Sequence, residues 1–144
     1  VHALGNATKT FLETGTKPTD TSIEETLRYD PPLHLFERHA KSDVEAFGYR
    51  FKRGDTVACL LASANRDPAN FLAPETFQPE RTRNTHFSFG QGIHFCLGAP
   101  LARLELQIAL KTLFKRCPNM RLIEQPSYTN SYHFHGLAAL KVSI

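Results

Sequence analysis

One cysteine stands among glycines and aromatic residues in the segment HFSFGQGIHFCLGAPLARLE, residues 86–105. A metal-binding thiolate must be deprotonated, shielded from bulk water and close to backbone N–H groups. Gly90, Gly92 and Gly98 permit the tight curvature that brings amides toward the sulfur of Cys96. The helix predicted just after this cysteine directs its positive end toward a thiolate. The spacing therefore predicts a loop that presents one thiolate to a metal.

The other cysteines, Cys59 and Cys117, are too distant in sequence for a zinc ribbon or a Cys-x-x-Cys-His motif. A single ligand fits a metal whose other positions are already filled, as in haem. Phe89 and Phe95 could cover a flat macrocycle. Two alternatives stay open: a buried cysteine without chemistry, and a thiol nucleophile paired with His94, for which no orienting Asn or Asp is evident.

Two helices are predicted to position this loop. The first lies in PTDTSIEETLRYDPP, where Asp20 or Thr21 can cap the helix and Pro31–Pro32 ends it. The second runs from Pro100 to about Arg116, with a wide apolar face that predicts burial.

Weaker signals complete the fold prediction. Residues 3–13 read as a short helix, 33–61 as strands, and 119–144 as strands with a hairpin turning near His133–Gly136. Helices and antiparallel strands in separate blocks predict an α+β fold. The 144 residues are the length of one domain, 1–144.

Composition excludes several function classes. The net charge of +3 comes from scattered basic residues, so no nucleic-acid partner is expected. No apolar run approaches the roughly 18 residues of a membrane span, and the first residues lack a signal-peptide pattern. A cytoplasmic protein without membrane contact is expected.

The cysteine segment FSFGQGIHFCLGAPLARLE resembles the haem-binding signature of the cytochrome P450 family of haem-thiolate monooxygenases, of the bacterial soluble type. EETLRYDPP resembles the Glu-x-x-Arg helix of that family, and ASANRDPANF and FQPER resemble the segment that leads into its haem loop. The resemblance implies the C-terminal part of the P450 fold: a Glu-x-x-Arg helix, a small antiparallel sheet, the cysteine loop with a long buried helix, and a C-terminal hairpin.

The resemblance also implies roles for individual residues. Cys96 is the proximal thiolate of haem b iron and favours O–O cleavage, while Arg38 and His94 bind the propionates. Glu25, Arg28 and Arg81 form a buried structural triad, although Glu25 and Arg28 alone could be an exposed i, i+3 pair. The implied cofactor contacts are Arg38, Phe89, Gly90, His94, Cys96 and Gly98. The implied substrate-lining residues are Leu33, His34, Phe36, Tyr132 and His133.

The complete enzyme is expected to insert one oxygen atom from O2 into an organic substrate. Its electrons would come from a ferredoxin-type or flavin-dependent partner. Basic residues on the second helix could attract an acidic partner, or simply form a solvated face: Arg103, Lys111, Lys115 and Arg116. Family members are roughly three times longer, so 1–144 is expected to be a truncated haem-binding domain without catalytic residues beyond the haem ligand. The alternative is a non-catalytic, self-associating protein that binds haem weakly or not at all.

Overall fold

Helices and short antiparallel strands occupy separate blocks along the chain. The computed structural model describes residues 2–144. Its helices are α1 (His2–Thr14), α2 (Asp20–Tyr29), α3 (Leu61–Ala64) and α4 (Ala99–Arg116), with a 3₁₀ turn at Gly92–His94. Its strands are β1 (Leu35–His39), β2 (Val44–Ala46), β3 (Tyr49–Phe51), β4 (Thr56–Leu60), β5 (Arg121–Leu122) and β6 (Val142–Ser143). The predicted α+β class is confirmed.

The strands form three two-stranded antiparallel sheets within residues 2–144. β1 pairs with β4 from Leu35–Leu60 to His39–Thr56, β2 pairs with β3, and β5 pairs with β6. The amide of Thr129 donates to the carbonyl of Gly136 at 2.8 Å. The C-terminal reversal therefore lies between these two residues and overlaps the predicted hairpin turn.

The cap of α2 is one residue earlier than predicted. The Thr19 hydroxyl accepts from the Ser22 amide at 3.1 Å, and Ser22 Oγ accepts from the Thr19 amide at 2.8 Å. This reciprocal capping box makes Asp20 the first helical residue. The prediction of Asp20 or Thr21 as the cap was wrong. A capping box needs a suitable side chain three residues after the cap, and Ser22 fills that role for Thr19.

The hydrophobic core lies where α1, α2 and α4 meet. Its buried members are Ala7, Phe11, Ile23, Leu27, Leu106 and Leu110. The ring of Phe11 meets Phe77 and Phe114 edge to face, with centroids 6.4 and 5.8 Å apart. The Phe11–Phe114 contact packs α1 against α4, and the cysteine loop directly precedes α4.

α4 is buried on one side only. Leu106 and Leu110 are buried, but Leu101, Leu104 and Ile108 are 59, 51 and 59% exposed. The predicted helix is confirmed. The predicted burial holds only for the side of α4 that faces α1 and α2. Its other side is an apolar surface that residues 2–144 leave uncovered.

Candidate haem-ligand loop

The cysteine loop closes on itself through backbone hydrogen bonds. The amide of Gly90 donates to the carbonyl of Phe87 at 2.7 Å, and the amide of Cys96 donates to the carbonyl of Phe89 at 2.9 Å. α4 begins three residues after Cys96, at Ala99. The loop therefore holds Cys96 next to the positive end of a long helix.

A side chain at Gly90 or at Gly98 would meet a neighbouring group, and the two groups differ. Gly90 has φ of +72°, and a Cβ there would lie 3.0 Å from Cζ of Phe36 on β1. A side chain at this position would be strained by its backbone and would also crowd that ring. A Cβ on Gly98 would lie 3.9 Å from Sγ of Cys96. Glycine at 98 thus keeps the space beside the sulfur open.

The surroundings of Cys96 fit a metal that carries its own equatorial ligands. Cys96 is exposed, and Ile93 and Leu97 beside it are 97 and 98% exposed. Residues 2–144 contain no group of three or more His, Cys, Asp or Glu side chains arranged to hold a bare metal ion. One soft thiolate, an open position beside it and exposed apolar neighbours suit a haem group.

Phe89 and Phe95 differ in their placement. Phe89 packs against the hydrophobic core, and the Arg103 guanidinium lies 4.7 Å from its ring centroid. Phe95 meets Phe89 edge to face at 6.4 Å and is 46% exposed. Phe89 therefore anchors the loop from inside, and Phe95 is the ring that faces outward.

Glu25, Arg28 and Arg81 meet in a buried cluster. Arg28 binds Glu25 through two parallel bonds, Nε to Oε2 and Nη2 to Oε1, both 2.8 Å long. Arg81 Nε donates to Oε2 of Glu25 at 3.0 Å. Side chains of Glu25 and Arg28 are fully buried. The structure brings the three predicted residues together, away from the surface that Cys96 faces.

Further hydrogen bonds compensate the buried charges of Glu25 and Arg28. Glu25 accepts from the Gln78 amide at 2.9 Å and from Asn84 Nδ2 at 3.1 Å. Arg28 Nη1 donates to the carbonyls of Asn65 and Pro74 at 2.9 and 2.8 Å. Buried charges persist when their hydrogen-bonding positions are filled in this way. The geometry is that of a structural brace between α2 and residues 65–84.

Asn65 connects this brace to the cysteine loop, and the sequence reasoning missed it. Its Oδ1 accepts from the Phe87 amide at 2.7 Å, and its Nδ2 donates to Ser88 Oγ at 2.9 Å. Ser88 Oγ in turn donates to the Leu27 carbonyl at 2.6 Å. The only sequence feature that marks Asn65 is its place in the motif ASANRDPANF, because a single asparagine produces no periodic pattern.

Glu24 makes a second connection between α2 and the loop. It accepts from Arg103 at 2.6 and 2.9 Å and contacts His86 Nε2 at 3.1 Å. The Ser88 amide donates to Nδ1 of His86, so Nε2 carries the proton directed at Glu24. Burial raises the pKa of Glu24, but the hydrogen bonds from His86 and Arg103 outweigh it and lower the pKa to about 2.

The predicted propionate ligands lie at the surface. Arg38 is exposed on β1, its guanidinium 4.7 Å from the Phe36 ring centroid and its Nη1 2.9 Å from the Glu37 carbonyl. His94 is exposed in the 3₁₀ turn before Cys96. Phe36 lies beside Gly90 and thereby links Arg38 to the cysteine loop. Both side chains are exposed at the surface.

The two predicted substrate-lining segments lie side by side. Leu33 forms an isolated antiparallel β-bridge with Phe134, and the His34 amide donates to the His133 carbonyl at 3.2 Å. The His34 ring stacks on His135 at 4.1 Å. Burial and the charge of His135 lower the pKa of His34. Tyr132 is 69% exposed beyond this pair, and Phe36 continues the first segment toward the loop.

The basic residues predicted for α4 divide into two groups. Arg103 is held by Glu24, and Lys111 Nζ lies 2.6 Å from Asp20 Oδ1. These pairs join α4 to α2, so Arg103 and Lys111 contribute to packing within the chain. Lys115 and Arg116 have no carboxylate within 4.0 Å among residues 2–144.

A model of the cytochrome P450 family matches residues 17–138. The chain therefore belongs to the cytochrome P450 family. It is 42% identical over 124 residues to the biotin biosynthesis cytochrome P450 of Bacillus subtilis strain 168, and 45% identical over 128 residues to the polyketide biosynthesis cytochrome P450 PksS of that strain. These alignments cover 85 and 86% of this chain but 31 and 32% of the relatives. The chain spans about a third of the length of the curated relatives it matches.

Solved structures give the same result. P450BioI, in complex with an acyl carrier protein ligated to hexadec-9Z-enoic acid, matches 99% of this chain with a TM-score of 0.92 and 36% identity. CYP109E1 from Bacillus megaterium, in complex with testosterone, matches 98% with a TM-score of 0.91 and 36% identity. The chain covers 40 and 42% of those structures. The predicted P450 fold is confirmed. No helix in residues 2–144 has the length and apolar character of a membrane span.

Proposed function

We propose that this chain is the haem-anchoring C-terminal segment of a haem-thiolate monooxygenase, with Cys96 as the proximal ligand of haem b iron. The supporting observation is an exposed cysteine on an ordered loop that is braced from behind by buried Glu25, Arg28 and Arg81. The complete enzyme would insert one oxygen atom from O2 into an organic substrate. The Cys-based hydrolase alternative lacks an orienting partner for His94.

The residues of this chain bind and orient the cofactor. Cys96 supplies the thiolate, and Gly98 leaves room beside its sulfur for a flat ring. Arg38 and His94 are proposed to hydrogen-bond the two propionates. Arg38 would donate two parallel hydrogen bonds, and His94 would donate one. Haem held by these residues would supply the O2-activating chemistry of a thiolate-ligated iron. Leu33, His34, Phe36, Tyr132 and His133 are proposed to line part of the substrate space.

The redox partner is proposed to be a ferredoxin-type or flavin-dependent protein, with the reaction in the cytoplasm. Lys115 and Arg116 remain available to an acidic surface, whereas Arg103 and Lys111 are engaged within the chain.

A second candidate is a non-catalytic protein that associates with itself. The observation that favours it is the apolar surface formed by Leu97, Leu101, Leu104 and Ile108, which are 98, 59, 51 and 59% exposed. Leu101, Leu104 and Ile108 are spaced three and four residues apart on α4 and form one seam, and Leu97 lies in the loop just before the helix. A second copy of this chain could cover that seam.

Haem titration tests the proposed ligand. The purified chain is titrated with haem, reduced and exposed to carbon monoxide. The proposal expects the strongly red-shifted Soret band of a thiolate-ligated ferrous–CO complex. Cys96→Ser should abolish this band, whereas the matched control Cys59→Ser should retain it. An unshifted band in the unmodified chain, or a red-shifted band that survives Cys96→Ser, would overturn the assignment of Cys96.

A further inference from the structure

A groove of about 690 Å³ lies between the end of α1, the α1–α2 connection and the end of α4. Its floor belongs to the hydrophobic core and includes Phe11, Phe114 and Met120. Phe11 and Met120 are 1 and 3% exposed, so this floor is firmly packed. The volume is within the range of about 300–1,000 Å³ that is typical of small-molecule sites.

The rim of this groove carries positive charge only. Lys17, Lys111, Lys115 and Arg121 line it, and its lining includes no aspartate or glutamate among the described residues. Lys111 is paired with Asp20 at 2.6 Å. Within residues 2–144, no carboxylate lies within 4.0 Å of the other three cations. Three uncompensated cations around an apolar floor favour a negatively charged occupant.

We propose that this groove binds an amphipathic organic anion, an apolar body with one anionic head group. The half-buried apolar residues of the lining, Leu12, Pro18 and Phe114, would remove the body from water, and the rim cations would hold the head group. An inorganic anion would leave these apolar side chains in water, and an uncharged apolar molecule would leave the cations unused. The groove is separate from the cysteine loop, so the proposal stands independently of haem binding.

Cys117 provides a direct probe, because it is half-buried and lines the groove. The haem-free chain is alkylated with iodoacetamide, and the rate at each cysteine is followed by mass spectrometry of its peptide. Dodecanoate below its critical micelle concentration should slow alkylation of Cys117 about tenfold at ten times its half-saturating concentration. Cys96 and Cys59 lie outside the groove and should react at unchanged rates.

Charge reversal at the rim tests the role of the cations. Lys115→Glu and Lys17→Glu should each weaken dodecanoate protection of Cys117 about tenfold. Lys41→Glu, an exposed lysine away from the groove, makes the same change in net charge and should leave protection unaltered.

Several results would overturn the proposal. Equal protection by dodecanol would mean apolar adsorption without anion recognition. Equal protection by sulfate would mean a simple anion site, and protection by polyglutamate but not by dodecanoate would mean an acidic protein surface as the occupant. Uniform slowing at all three cysteines would mean aggregation.

Discussion

Glu25 joins two arginines whose charges have no access to solvent. Replacing Glu25 with Gln removes the negative charge and leaves Arg28 and Arg81 buried without a counter-ion. We expect Glu25→Gln to lower the free energy of unfolding by about 3–5 kcal/mol. Urea denaturation followed by circular dichroism measures this loss. The exposed strand residue Glu45 gives the control, and a Glu25→Gln loss no larger than that of Glu45→Gln would contradict the brace.

Asn65 supports the loop without any charge. Asn65→Ala would leave the Phe87 amide and the Ser88 hydroxyl without their amide partner inside the protein. The expected loss of unfolding free energy is about 1–3 kcal/mol, the cost of buried polar groups without hydrogen bonds. Denaturant melts of Asn65→Ala and of the exposed control Asn119→Ala make the comparison. Equal stability of the two variants would show that water replaces the Asn65 side chain.

At the scale of elements, α2 holds both sides of the cysteine loop through two consecutive residues. Glu25 reaches the segment before the loop through Arg81, while Glu24 reaches α4 after the loop through Arg103. Adjacent helical positions point about 100° apart, which allows one helix to hold two segments. The loop is therefore fixed by α2 before any cofactor contributes.

The Glu24 connection predicts an acid-sensitive contribution to stability. The pKa of Glu24 is about 2 in the folded chain against an ordinary value of 4.5. A lowered folded pKa means that the stabilisation is complete above about pH 4.5 and is lost as the pH falls toward 2. We expect the stability difference between the wild-type chain and Glu24→Gln to shrink over this window. Denaturant melts at pH 7, 4 and 3 measure it; a difference independent of pH would contradict the assignment.

Local signals in the sequence predicted the elements better than the contacts between them. Pro31–Pro32 and Pro100 marked helix boundaries correctly, because proline acts on its own backbone. The cap of α2 was placed wrongly at Asp20 or Thr21 because the reciprocal hydrogen bonds between Thr19 and Ser22 were not considered. Asn65 was missed because its function depends on Phe87 and Ser88, and only the tertiary fold brings these residues together. The motif resemblance identified Glu25, Arg28 and Arg81 as a group, which pattern analysis alone would not do.

At the scale of the whole molecule, the apolar side of α4 that residues 2–144 leave uncovered predicts self-association. Three neighbouring apolar side chains on α4, with Leu97 just before the helix, form a larger exposed apolar patch than isolated surface residues do. We expect the chain to self-associate at micromolar concentrations, and Leu104→Glu to shift it toward monomer. Sedimentation velocity measures the change. Leu72→Glu, which places the same charge at an 86% exposed position elsewhere, is the control and should leave the association unchanged. A monomeric wild-type chain would refute the prediction.

The brace also sets an order of events during folding. Glu25 and Arg81 are 56 residues apart, and Glu24 and Arg103 are 79 apart. Forming contacts this distant in sequence costs loop-closure entropy before the contacts contribute stability. This cost slows folding. The hydrogen bonds within the loop are local, but its attachment to α2 depends on these closures, so its amides should become fully protected from hydrogen exchange together with the core and not before. A cofactor arriving early would therefore meet a cysteine without its loop.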